Sequence, residues 1–89
     1  MAKKIAVLVR DRQHEALRVA VGLTLADDKV DVFIMERKLE SDENIALNIE
    51  TLNDLGVKIF SNNSENNFEQ MTTEEIAKTL TGYDLFVPY

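Results

Sequence analysis

Cysteine and tryptophan are absent from these 89 residues, and the chain holds a single histidine, a single proline and three glycines. Without thiols there is no disulfide framework, no thiolate zinc site and no dithiol redox couple. The glycines form no Gly-x-Gly-x-x-Gly turn for a dinucleotide and no Gly-x-Ser-x-Gly elbow for a nucleophilic serine. One histidine among scattered carboxylates does not make a transition-metal constellation, so neither a metal nor a cofactor is expected. No apolar run approaches the roughly 20 residues that a membrane span needs. The segment Met1-Ala2-Lys3-Lys4-Ile5 enters an apolar run at once, too soon for a signal peptide, and a cytoplasmic location is the expectation. Basic residues are also scarce, 10 against 16 acidic ones, for a formal net charge of −6. That balance counts against nucleic acid and anionic membranes as partners, since both need a basic surface. It serves solubility, or it complements a basic partner.

What is present is an ordinary globular composition, 45% apolar and 29% charged, in one domain covering residues 1–89. A chain of this size buries only about 60–65% of its unfolded surface, so it relies on good packing or on association. The runs Ile5-Ala6-Val7-Leu8-Val9 and Val30-Asp31-Val32-Phe33-Ile34-Met35 read as strands covered on both faces. Between them a charged loop, Arg10 to His14, precedes a helix expected from Arg12 to Ala26 with Asp11 as its N-cap. Asp27-Asp28-Lys29 is a turn. A second helix is expected behind Ser41-Asp42-Glu43, with Ile45, Ile49, Leu52 and Leu55 on one face and Gly56 ending it. Val57 to Phe60 is a third strand, and the polar run from Ser61 to Asn67 a loop. Thr72 and Glu75 form a capping box for a third helix over 73–80, with Met71 and Ile76 spaced as a hydrophobic staple. Asp84 to Val87 is the fourth strand, next to Pro88. The order β-α-β-α-β-α-β predicts an α/β fold, a three-layer sandwich around a mainly parallel four-stranded sheet.

The first helix carries more apolar surface than a sheet requires. Its alanines, valines and leucines occupy about 260° of the circumference, where a sheet-packed helix uses about 100–140°. Either one flank lies in a subunit interface, with Val19, Leu23 and Ala26 as candidate contacts, or small apolar residues are tolerated at the surface. In a βαβ unit small-molecule sites lie at the carboxyl ends of the strands. Arg10, Arg12, His14 and Glu36, with Arg37, fall there, joined by Ser61, Asn62 and Asn63. The arginines and free helix amides suit a carboxylate, phosphate or sulfur oxyanion, unless Asp11 and Glu15 occupy them. His14, in a first helical turn, has the chemistry of a base or phosphoryl acceptor if a carboxylate orients it; otherwise it is an exposed residue without a role.

Three stretches together resemble the DsrE/DsrF-like family of small α/β proteins, some of them sulfur-relay components. These are Lys4 to Val9, Glu15 to Leu23 and Val30 to Met35, with Leu52-Asn53-Asp54-Leu55-Gly56-Val57-Lys58-Ile59-Phe60 continuing the likeness. The resemblance implies a DsrE-like or flavodoxin-like topology and homo-oligomers or assemblies with related subunits. Its sulfur-carrying members place a cysteine just after the third strand, where this chain has Ser61 or Asn62. Neither can form a persulfide. The resemblance therefore implies a non-catalytic subunit that self-associates, an accessory protein in sulfur or redox metabolism. The alternative is a small-anion or nucleotide-binding protein or enzyme that uses the loop after the first strand.

Overall fold

A computed structural model describes residues 4–26, 29–36, 38–40, 42–66 and 68–89. The turn expected at Asp27 and Asp28, and the contributions expected of Arg37, Ser41 and Asn67, lie outside them. The elements run β1 (Lys4–Val9), α1 (Gln13–Leu25), β2 (Lys29–Ile34), α2 (Glu43–Asp54), β3 (Lys58–Ser61), β4 (Glu69–Gln70), α3 (Thr73–Leu80) and β5 (Leu85–Pro88). Five strands form one sheet in the order β4-β3-β2-β1-β5, and every pairing is parallel.

The expected sheet had four strands; the fifth is β4, two residues that pair with Phe60 and Ser61 of β3. Glu69 and Gln70 carry no apolar alternation, because a two-residue edge strand is held by its backbone alone. The strand order also departs from the flavodoxin arrangement, in which β1 lies between β2 and β3. Here β1 lies between β2 and β5.

That order decides where the helices go. The steps β1-α1-β2 and β2-α2-β3 move in the same direction across the sheet, so right-handed crossovers put α1 and α2 on the same face. The step through α3 to β5 runs back the other way and puts α3 on the opposite face. The core divides accordingly. Ile5, Val7 and Val9 of β1 pack with Val30, Val32 and Ile34 of β2 beneath Ala16, Leu17 and Ala20 of α1 and Ile45 and Leu52 of α2. On the other face Ala6, Phe33, Met35 and Phe60 meet Ile76 of α3. Phe33 stacks on Phe60 with ring centroids 5.1 Å apart and meets Tyr83 edge-on at 5.7 Å.

One charge is buried in this second layer. Asp31, in the middle of β2, accepts a short hydrogen bond from the Tyr83 hydroxyl, and Lys4 Nζ lies 4.6 Å from the centre of the Tyr83 ring. Burial, and then the Asp31 carboxylate beside it, hold the Tyr83 hydroxyl well above its ordinary pKa.

The helix ends show how local the signals are. Asp42 caps α2, accepting from the amides of Asn44 at 2.8 Å and Ile45 at 3.3 Å, and Gly56 follows with φ +80°. The capping box of α3 is complete: Thr72 accepts from the Glu75 amide, and the Glu75 carboxylate accepts from the Thr72 amide. At α1 the N-cap is Arg12, not Asp11, and it makes no side-chain capping bond. The amides of Asp11 and Arg12 both donate to the carbonyl of Tyr89, so this turn is shaped by β5 rather than by a local cap.

Candidate functional site

The strand order reverses between β1 and β5, and ligands of open α/β sheets bind outside the carboxyl ends of strands at such a point. Arg10, Asp11 and Arg12 leave β1 there. The side chains of Arg10 and Arg12 are exposed, and Arg12 approaches Glu15 at 3.8 Å across one helical turn. His14 follows on the first turn of α1. Its Nε2 lies 3.2 Å from Oδ1 of Asp42, the same oxygen that caps α2. The histidine is thus oriented by a carboxylate 28 positions away, neither Asp11 nor Glu15. Backbone hydrogen bonds from Asn44 and Ile45, with a smaller contribution from His14, hold the Asp42 carboxyl below its ordinary pKa.

The remaining candidates lie across the sheet, and they bind one another. Glu36 stands in the left-handed region at φ 67° immediately after β2. Its amide donates to Oδ1 of Asn62, and its carbonyl accepts from Nδ2 of Asn63 at 3.1 Å. The Asn62 amide also donates to the Thr73 hydroxyl at the start of α3. Ser61, fully buried at the end of β3, accepts from the Asn63 amide at 3.1 Å and from Nδ2 of Asn66 at 2.9 Å. Two residues that the sequence reading left out complete the arrangement. Asn66 is buried and accepts the Leu39 amide at 2.7 Å. Gln13 is buried at the start of α1, donating to the Lys38 carbonyl and accepting the Glu40 amide. The connection from β2 to α2 is therefore tied on one side to α1 and on the other to the loop after β3.

The seven expected rim residues that the structure describes thus separate into two groups. The side chains of Ser61, Asn62 and Asn63, with the backbone amide and carbonyl of Glu36, form a clamp that ties the end of β2 to the loop after β3. Arg10, Arg12 and His14 form an exposed basic edge. Among the described residues no buried side-chain nitrogen or oxygen lacks a hydrogen-bond partner, and no group of three or more histidine or carboxylate residues is placed to hold a metal. The His14–Asp42 pair has the geometry of a base and its orienting carboxylate. Ser61, the hydroxyl at the end of β3, is enclosed by Asn63 and Asn66 and is not presented as a nucleophile.

The interface candidates on α1 are placed by the same pair. His14 turns toward α2, and Val21, about 20° from it around the helix axis, packs against the core on that flank. Val19, Leu23 and Ala26 lie on the opposite flank, toward β5. Val19 and Leu23 are half-buried, and Ala26 is exposed. The second helix therefore hides part of the surplus apolar surface. Leu25 remains 69% exposed, and Leu85 and Phe86 on the edge strand β5 are 44% and 50% exposed. Among the described residues no helix is long and apolar enough to cross a membrane. Comparison with protein-family models, with curated proteins and with solved structures returns no match for this chain.

Proposed function

We propose that this chain is a non-catalytic DsrE-like subunit that self-associates, serving as an accessory protein in sulfur or redox metabolism. An all-parallel sheet with helices on both faces is what that reading requires. The enclosure of Ser61 supports the non-catalytic part, because the one hydroxyl at the end of β3 is buried and bonded to Asn63 and Asn66. The observation that carries self-association is the open apolar edge. β5 is paired on one side only, Leu85 and Phe86 are about half exposed, and the Val19, Leu23 and Ala26 flank of α1 lies toward the same edge. Exposed apolar side chains next to an unpaired strand form a surface that a second protomer covers. Light scattering coupled to size exclusion tests this directly. The expected result is a dimer or larger assembly that Phe86→Glu together with Leu85→Asp converts to a monomer with unchanged helical circular dichroism. A wild-type monomer at high micromolar concentration removes the proposal.

The second reading, an anion bound at the loop after β1, is favoured by the uncapped start of α1 beside Arg10 and Arg12. Thermal shift with phosphate, sulfite and thiosulfate decides it, because a ligand at 100 times its Kd stabilises by about 2.7 kcal/mol. No shift at millimolar anion eliminates this reading, and a shift abolished by Arg10→Ala with Arg12→Ala supports it.

A further inference from the structure

A groove of about 640 Å³ runs along the outer flank of α2. Its apolar lining is Leu39, Ile45, Ala46 and Ile49, from the β2–α2 connection and the first half of the helix. Leu39 and Ile49 are partly buried and packed on the core, Ile45 is buried, and Ala46 is exposed. Glu40, Glu43, Glu50 and Asp54 stand along the groove, with Asp42, and no lysine or arginine lines it among the described residues.

One of these carboxylates sits where the helix itself disfavours it. Glu43, in the first turn of α2, complements the positive end of the helix dipole. Asp54 lies in the last turn, at the negative end, and that turn carries no basic residue. Helix stability explains Glu43, opposes Asp54 and does not call for Glu40 or Glu50.

We propose that this groove receives an amphipathic helix of a partner protein, with apolar residues at i, i+3, i+4 and i+7 flanked by lysine or arginine. The backbone of α2 favours a helix over a pairing strand. The groove is built on α2, whose own carbonyls and amides are already bonded, so it offers no strand edge for an extended peptide to pair with. The groove follows the stretch 42–54, about 18 Å of helical rise, which matches three turns of a bound helix. The carboxylates select a basic occupant, and they disfavour an anionic lipid surface. The surface is distinct from the β5 edge assigned to self-association, so the two can fail separately.

Three peptides of about 14 residues test the proposal: a leucine–lysine amphipathic helix, its scrambled isomer, and the same helix with glutamate for lysine. Fluorescence anisotropy at physiological salt should show the amphipathic basic peptide binding at least tenfold more tightly than either control. Ala46→Arg, at an exposed position inside the groove, should weaken it at least tenfold at an unchanged melting temperature. Leu47→Ser, on α2 but outside the groove, should leave it unchanged. Equal binding of the scrambled isomer would mean general charge attraction and overturn the proposal. So would absence of binding by all three peptides, or indifference to Ala46→Arg. A change in the oligomeric state of the unliganded chain on Ala46→Arg would make a second copy the occupant and overturn it as well.

Discussion

Asp31 and Tyr83 show how one buried charge governs its surroundings. The carboxylate sits under the aromatic layer with the phenol as its donor, so Tyr83→Phe leaves a buried acceptor without that bond. Loss of such a partner costs about 1–3 kcal/mol, measurable as a lower urea midpoint at neutral pH. The sign of the pH dependence follows from the raised Tyr83 pKa. Its folded-state value exceeds the ordinary 10.0, so its contribution is complete below pH 10 and is lost as pH rises beyond it. The wild-type midpoint should fall above pH 10 more steeply than that of Tyr83→Phe. For Asp42 the shift runs the other way and acts in acid, below the ordinary 3.8. Because the two backbone amides are its main cause, His14→Ala should raise the Asp42 pKa only part of the way, as followed by carboxyl carbon NMR. The His14–Asp42 pair joins residues 28 apart, and nothing in the spacing of a lone first-turn histidine announces it. Asn66 is equally silent in sequence: it is buried because Leu39 and Ser61 need its side chain, and it stands in the most polar run of the chain.

Elements whose ends are decided locally were readable in advance. Asp42, Gly56 and the Thr72–Glu75 box each act within three or four residues of the boundary they set, and α2 and α3 lie where the spacing placed them. Thr72→Ala removes one bond of the box and should cost about 1 kcal/mol, with a melting temperature lower by about 4–8 °C. The start of α1 was misplaced because its turn answers to the Tyr89 carbonyl, a contact that no window around Asp11 contains. β4 was missed for a related reason, since its two residues owe their strand character entirely to β3. The apolar breadth of α1 was legible, but its cause was only half so. The pattern shows how much surface needs cover, whereas the share taken by α2 emerges only from the crossovers.

At the scale of the whole molecule, the expected self-association couples stability to concentration. Mass action stabilises a folded protomer that binds its own kind, so the melting temperature should rise with protein concentration. A melting temperature constant over a hundredfold range would contradict association. The acidic edge variant, Leu85→Asp with Phe86→Glu, should show that constancy.

The closing of the sheet sets one more condition. β5 is last in the chain yet lies beside β1, and the Lys4 amide reaches the Asp84 carboxylate across 80 positions. A contact of that separation carries more loop-closure entropy than the contiguous β1-α1-β2 unit and is expected to form after it. Its amides should be the first of the β1–β3 and β5 ladder to exchange with deuterium. Whenever that last strand lifts away, the hydrogen-bonding edge of β1 becomes a bare template for any passing chain, so fidelity of assembly rests on four residues at the margin.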